Sequence, residues 1–362
     1  MKKPLKIALY ALLALVLIVL AYVIYVFAAY YRVEDYQSLD VVRTTCESPV
    51  PMEDAAETDV TYRIASANVG FGAYSNDYSF FMDGGTSSWA ESPETVQYAI
   101  NGAGELVKSL DPDFALIQEI DLDATRSYHT DEYEMLRNIL PEYTTVFAQN
   151  YDSAFLFYPF TQPHGSSRAG LGLFSKYPVS SALRRSFPIS TSFSKFFDLD
   201  RCYSVSRIPV DNGKELVIFN LHMSAYGNSD EIRKGQIEML CNDMAKEYGA
   251  GNYVLCGGDF NHDLKASEED TESCESWAFP FPRTELPEHF AFCLDLLSSE
   301  EQAALWNSAR NADMEYVPGV TYTVTLDGFI ISDNIECLSY ENVNTGYSYS
   351  DHDPVKMEFV LK

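Results

Sequence analysis

Residues 7–31 carry no charge, and at about 1.5 Å of rise per residue such a run can cross a hydrocarbon layer of roughly 30 Å as a single helix. After it the pattern changes. Residues 32–59 show no sustained apolar period, and Pro49, Pro51, Glu53, Asp54 and Glu57 give this stretch the character of a stalk. From residue 60 onward, short apolar runs alternate with segments of helical period. Strands are predicted at 61–67, 114–118, 144–148, 171–175, 203–210, 215–221, 253–256, 328–331 and 355–360, and helices near 93–110, 131–140, 230–248 and 299–307. Asp111-Pro112-Asp113 breaks the chain between the first of these helices and the second strand. The outcome is a tip and membrane-spanning helix at 1–31, a linker at 32–59 and one α/β domain at 60–362, with no internal repeat.

Charge sets the direction of the span. Lys2, Lys3 and Lys6 are the only charges before the apolar run, so the positive-inside rule leaves the N-terminus in the cytoplasm and sends everything after Arg32 across. The expectation is a single-pass protein, held in the lipid bilayer through residues 7–31, with its large domain outside. The small residues of Phe27-Ala28-Ala29 also admit cleavage as a signal peptide, whose apolar core is usually only about 7–15 residues. Both readings export the domain.

The exported part keeps all 53 acidic residues of the chain but loses three of its 25 basic ones, and the whole carries a formal charge of -28. That excludes a uniformly basic nucleic-acid binder, though not a local basic pocket. With 46% hydrophobic and 14% aromatic residues, it is equally unlike a disordered acidic tail. The seven cysteines (46, 202, 241, 256, 274, 293 and 337) are odd in number and contain no CxxC pair. Neither a full disulfide framework nor a zinc ribbon is indicated. Cys256, inside an apolar run, reads as a core filler.

The polar residues with chemistry to offer stand at the ends of the predicted strands. Asn68 closes the first, Gln118-Glu119 the second, and Asn220-Leu221-His222 a later one. Gly257-Gly258-Asp259-Phe260-Asn261 follows the run at 253–256, and Leu326-Asp327-Gly328 and Ser350-Asp351-His352-Asp353-Pro354 complete the set. Singly, each also reads as an ordinary strand-end turn. In this order, together with Gly170-Leu171-Gly172-Leu173-Phe174-Ser175-Lys176-Tyr177-Pro178-Val179, they resemble the endonuclease/exonuclease/phosphatase superfamily, which includes DNase I, exonuclease III-like nucleases, inositol polyphosphate phosphatases and neutral sphingomyelinases.

The resemblance covers residues 60–361 and implies a four-layer sandwich: two mostly antiparallel β-sheets face to face, helices outside, and a site at one edge. It implies a divalent cation on Glu119, helped by Asn68 and Asp351. Oxygen ligands without a Cys or His cluster suit Mg²⁺, with Mn²⁺ or Ca²⁺ as substitutes. It implies that His352 acts as base or as charged partner of the attacked phosphoryl group, with Asp327 orienting its ring. Asp259 and Asn261 correspond to the pair that positions the attacking water and hydrogen-bonds phosphate, and His222 to a second phosphate-contacting histidine.

Other residues stay open between two roles. Arg126 reads as a fork for phosphate oxygens or as half of a surface salt bridge, and Arg201 and Arg207 likewise. His262 and Asp263 either shape the site or cap a loop, while His129, His164 and His289 fall outside the motifs. Gly102-Ala103-Gly104 lacks the rest of a nucleotide-loop fingerprint and reads as close helix packing. Substrate choice in such a scaffold lies in loops, here 74–92, 151–168 and 267–292, whose aromatics either contact substrate or plug a local core. The preferred expectation is a surface phosphoesterase acting on a small or lipid-linked phosphate ester. The alternatives are an extracellular nuclease, with DNA or RNA purely as substrate, and a non-catalytic binding protein. No feature of the sequence sets an oligomeric state.

Overall fold

A computed structural model describes residues 3–43, 53–192, 195, 199–225, 230–267 and 278–362. Cys46, Pro49, Pro51, Cys274 and Trp277 lie outside the described residues. The apolar run forms one unbroken helix, α1 (Lys3–Ala29), of which Val26 alone is buried. Among the described residues it is the one helix long and apolar enough to cross a membrane.

The rest of the chain runs β1 (Gln37–Ser38), β2 (Val41–Arg43), β3 (Thr61–Asn68), α2 (Pro93–Ser109), β4 (Phe114–Ala124), α3 (Glu132–Ile139), β5 (Thr144–Asp152), β6 (Ser167–Ser175), β7 (Ser181–Ser186) and β8 (Cys202–Pro209). It continues through β9 (Glu215–His222), α4 (Asp230–Gly249), β10 (Tyr253–Asp259), β11 (Phe290–Phe292), α5 (Ser299–Ala304), β12 (Ala309–Arg310), β13 (Thr323–Val324), β14 (Asp327–Ser332), β15 (Ile335–Asn342) and β16 (Val355–Leu361). Two seven-stranded sheets result, ordered β1-β7-β8-β9-β10-β14-β11 and β15-β16-β3-β4-β6-β5-β2, with β12 and β13 as a separate ribbon. Each sheet is antiparallel except for one parallel pair, β9/β10 in the first and β3/β4 in the second. A parallel pair needs a crossover, and α4 and α2 provide one each.

Alternation along the strands assigns the layers. In β4, Phe114 and Leu116 face the other sheet while Ala115 and Ile117 face the helices, and in β10 Tyr253 and Leu255 divide from Val254 and Cys256 in the same way. One core lies between the sheets, around Ile64, Leu116, Ile218, Leu255, Phe329 and Met357. A second lies under α2 and α3 and a third under α4, which makes the four layers. Cys256 is a fully buried member of the third.

Local chemistry explains the helix that crosses between β3 and β4. The Ser92 hydroxyl caps α2 by accepting the Thr95 N–H at 3.1 Å, and Pro93 occupies the first turn, where its missing donor costs nothing. Val96, Ile100, Ala103 and Val107 form its buried face, so Ile100→Ala should cost about 2–5 kcal/mol. A Cβ on Gly102 would lie 2.2 Å from the Tyr349 ring, and one on Gly104 2.7 Å from Ile139 of α3. These glycines serve close packing.

Two departures from the expected pattern bear on the two sheets directly. Residues 37–43, read from the sequence as stalk, pair as β1 with β7 and β2 with β5, one short strand on an edge of each sheet. Only two and three residues long and exposed at every position, they leave no periodic signal. The strand expected to stop at 118 continues to Ala124, because register shifts between Ile117 and Ile120 and between Asp121 and Asp123 absorb extra residues.

Candidate active site

The site stands where the two parallel pairs end. In the first sheet Asp259 of β10 is in register with His222 of β9 on one side and with Asp327 of β14 on the other, so three site residues form one row across three strands. That row depends on Gly258, whose backbone at φ 138 passes so close to β9 that a Cβ would fall 2.1 Å from the Leu221 carbonyl oxygen. In the second sheet Asn68 of β3 is in register with Gln118 of β4. The next residue, Glu119, takes a left-handed φ of 56, and this bulge separates its side chain from the buried Gln118.

Gln118 and Asn220 lie beneath, joining the sheets. The Gln118 amide donates to Asn220 Oδ1 at 2.8 Å and to Ser66 Oγ at 3.2 Å, while the Asn220 amide donates to the Gly172 carbonyl at 3.0 Å. All three polar side chains are fully buried. They form a polar floor between two apolar layers.

Above this floor Asp259 is the hub. Its Oδ1 accepts the Asn261 N–H at 2.8 Å and its Oδ2 accepts the Asn68 amide at 3.1 Å. Oδ2 also lies 3.4 Å from His222 Nε2 and 3.9 Å from His352 Nε2. The Asn68 amide donates to Glu119 Oε1 at 3.1 Å as well, and the Asn68 oxygen accepts the Gly70 N–H at 3.0 Å. Asn68 therefore presents donors to both carboxylates, and a part as oxygen ligand requires its amide to turn over. His352 Nδ1 is 2.7 Å from Asp327 Oδ2, which also accepts the Ser308 hydroxyl at 2.7 Å. Asn261 is anchored by its amide to the Met223 carbonyl at 2.9 Å.

Burial and crowding of like charge shift these groups. Burial, reinforced by Asp327 and Glu119, pushes the Asp259 carboxyl up to about 7. Burial and the Glu119 charge raise Asp351 to about 6. For His352 burial alone would favour the neutral ring, but Asp327, Asp259 and Asp351 outweigh it and hold the imidazole well above the ordinary histidine range. His222 is the opposite case: burial, then the positive charges of Arg201, His352 and Arg126, keep it neutral. One fold thus sets a charged and a neutral histidine on either side of Asp259.

The sequence missed two contributors. Ser308, from outside every motif, holds both the Asp327 carboxylate and its backbone N–H. Asp83, from the loop after β3, has its carboxyl raised to about 7 by burial and by Asp351 and Glu119. Neither has a local signal, since each reaches the site through long-range folding.

The weaker candidates separate cleanly. Arg126 is buried, its Nε and Nη2 bound by both oxygens of Asp121 at 3.0 and 2.8 Å, and its guanidinium lies 3.8 Å over the Phe71 ring. The expected phosphate fork is thus engaged by Asp121, and the expected surface salt bridge is a buried one. Arg207 pairs with Glu215 and Glu247. Arg201 is different. It is 7% exposed, and its Nε and Nη1 have no hydrogen-bond partner among the described residues. His262 is tied to the Phe260 carbonyl at 2.6 Å and His164 to that of Ser88 at 3.2 Å. His129 and His289 are exposed partners of Asp123 and Asp333.

A divalent cation fits this chemistry. Ligand atoms of Glu119, His222 and Asp259 lie within 4.8 Å of one another, as do those of Asp259, Asp327 and His352. The raised carboxyls of Asp259, Asp351 and Asp83 mark excess negative charge, which a cation would relieve. Asp351 belongs to neither close triad; its Oδ1 accepts the Ser350 hydroxyl at 3.2 Å beside Gly70.

Two sheets of this topology, each ending a parallel pair at one acidic and histidine-bearing edge, define a DNase I-like phosphoesterase scaffold. Residues 65–296 match the Endonuclease/Exonuclease/phosphatase family, and the chain belongs to it. Among solved structures it is similar to the family protein from Bacteroides vulgatus (TM-score 0.55, 17% identity, 84% of this chain and 100% of that one). It is also similar to D. rerio TDP2 complexed with a single-strand DNA product (0.54, 15%, 83% and 99%) and to ANGEL2, a 2',3'-cyclic phosphatase (0.57, 11%, 83% and 96%). No curated protein sequence matches the chain. Members of this family cleave phosphate esters and generally depend on a divalent metal.

Proposed function

We propose that this protein is a Mg²⁺-dependent phosphoester hydrolase anchored by α1, with its domain on the outer face of the membrane, acting on a small or lipid-linked phosphate ester. The observation that carries this reading is the row Asp327–Asp259–His222 meeting Glu119 and Asn68 from the other sheet. Chemistry at such a site needs an aimed water, positive charge on the non-bridging oxygens and stabilisation of the leaving oxygen.

Asp259, with Asn261 beside it, holds the water whose oxygen bonds to phosphorus as the ester P–O bond breaks. Its raised pKa suits a group that accepts the water's proton. His352, kept charged and oriented by Asp327, faces the phosphoryl oxygens, and neutral His222 donates a hydrogen bond to them. Arg201 adds a buried positive charge beside His222. A cation held by Glu119, with Asn68 and Asp351 close by, would polarise the phosphoryl group and stabilise the leaving oxygen.

The acidic domain argues for a substrate presenting one phosphate, because a polymer user must neutralise many. The test is hydrolysis by the full chain of DNA, RNA, sphingomyelin, phosphoinositides and soluble phosphate esters, in chelator and after Mg²⁺ or Mn²⁺ is restored. Metal-restored activity on a single-headgroup ester is expected. Full activity in chelator, or preference for duplex DNA, would overturn the reading.

A further inference from the structure

The connection from β5 to β6 carries four aromatic rings within six residues. Phe157, Tyr158 and Phe160 are 49%, 64% and 84% exposed, and Phe155 is half-buried beside them with its ring 4.9 Å from that of Phe157. Single exposed apolar residues are ordinary, but a contiguous cluster marks a contact surface. What covers it is indicated by what it touches. The Tyr22 hydroxyl of α1 donates to the Phe155 carbonyl at 3.2 Å and accepts the Phe157 N–H at 3.4 Å, and the Tyr25 hydroxyl accepts the Phe155 N–H at 3.0 Å. The Tyr22 ring also packs edge-on against Phe157 at 5.1 Å.

Depth follows from helix length. About 20 residues cross the hydrocarbon layer, so a span that begins at Ile7 reaches its outer boundary near residue 26, between the tyrosines and Ala29, where α1 ends. Tyrosines at that level form the interfacial belt of membrane helices, and the loop bound to them lies at the same level.

The domain has no free tether on which to tumble in the described residues that follow. The fully buried Arg184 donates to the carbonyls of Val33 and Glu34 at 3.3 and 3.0 Å, Arg32 donates to the Phe187 carbonyl at 2.9 Å, and β1 and β2 then lie on the two sheets. The site shares the loop's side of the molecule. Ser167, where β6 begins, pairs with Ala124 of β4, so the loop leaves the sheet about 16 Å beyond Glu119 along that strand. Residues 79–91 fill the space between. The Phe81 ring is 5.8 Å from Tyr158, Trp89 donates to the Pro163 carbonyl at 2.7 Å, and Asp83 lies in the field of Glu119 and Asp351.

We propose that the aromatic loop at 155–160 is an interfacial anchor that, with α1, seats the domain on the outer leaflet and sets the site at headgroup level, making a phosphoester in a membrane-lipid headgroup the substrate class. This rests on the reading of α1 as a span and of the site as a hydrolase. The acidic surface favours a zwitterionic leaflet over an anionic one.

The test uses the full chain in phosphatidylcholine vesicles, with α1 insertion verified by resistance to carbonate extraction. Phe160→Trp should add a blue-shifted emission that acyl-chain-brominated phosphatidylcholine quenches. The double variant Phe157→Ser/Phe160→Ser should lower turnover of a vesicle-borne lipid phosphoester by about tenfold or more, since it removes two rings from the interface. It should leave hydrolysis of bis(p-nitrophenyl) phosphate in solution unchanged. An unquenched added emission in inserted protein, or an equal fall on both substrates, overturns the proposal. Failure of α1 to insert removes the span reading and the proposal with it. If the parent protein hydrolyses neither ester, the hydrolase reading and the substrate class fall together, and quenching still decides whether the loop docks.

Discussion

The imidazole of His352 is held by Asp327 through a 2.7 Å contact at Nδ1, which leaves Nε2 pointing toward Asp259, 3.9 Å from its Oδ2. Asp327→Asn removes the charge that keeps the ring protonated and lets it take the other orientation. Turnover should fall by about 10²–10⁴-fold. Because Asp327 is the strongest influence raising the His352 pKa, the alkaline limb of the kcat/KM profile should move to lower pH. A pH–rate series on both proteins, with circular dichroism to confirm folding, checks this; an unmoved limb would show that Asp327 does not set the His352 charge.

The same pair shows what a sequence can and cannot disclose. Strands such as β3 and β10 are legible because continuous apolar runs end in polar residues, and the order of those endings points to Asn68, Glu119, His222, Asp259, Asp327 and His352 together. Strand β7 is hidden because Arg184 and Arg185 interrupt it, and Arg184 is buried there only because backbone carbonyls surround its guanidinium. Strand β15 is hidden for a plainer reason: as an edge strand it leaves Glu336, Leu338, Ser339 and Glu341 outside the core, so its pattern is weak. Helix α5 ends at Ala304, short of the expected 307, and Trp306 instead donates to Asp353 at 2.9 Å. Ser308 and the Gln118–Asn220 link are invisible because their partners are brought together only by the fold.

That link carries a prediction of its own. Gln118→Leu leaves Asn220 Oδ1 without its amide donor between the sheets and should cost about 1–3 kcal/mol. Pairing it with Asn220→Leu removes both polar partners, so the double variant should lose less than the sum of the singles. Urea unfolding of the four proteins gives the coupling; strict additivity would mean the contact contributes nothing specific.

Protons and metal should compete for the site. The carboxyls of Asp83, Asp259 and Asp351 are raised to about 7, 7 and 6 from an ordinary 3.8 by burial and neighbouring carboxylates. The folded protein therefore holds protons that the unfolded chain releases between about pH 4 and 7, so the metal-free protein loses stability as pH rises through that window. On the proposed reading Mg²⁺ would bind the charged forms, adding about 2.7 kcal/mol at a hundredfold excess over Kd, and should raise Tm more at pH 8 than at pH 5. Thermal unfolding with and without Mg²⁺ at both pH values decides it, and a larger shift at pH 5 would refute the metal assignment.

Two buried arginines should fail in opposite ways. Arg126 is bound by both oxygens of Asp121, which is fully buried, so Arg126→Met strands that carboxylate and should cost about 3–5 kcal/mol of stability. Arg201 is as deeply buried, yet two of its nitrogens have no partner among the described residues, and its charge acts on His222. Arg201→Met removes a buried cation two of whose nitrogens have no hydrogen-bond partner among the described residues, so stability should hold or rise while kcat/KM on the best phosphate ester falls by about 10²-fold or more, the scale of one lost charge-stabilising donor. Phosphate inhibition should weaken in parallel, because the same guanidinium would meet the product. Denaturant midpoints, kcat/KM and the phosphate inhibition constant measured on both variants separate the roles. A destabilised Arg201→Met protein with unchanged phosphate inhibition would place Arg201 in the scaffold with Arg126.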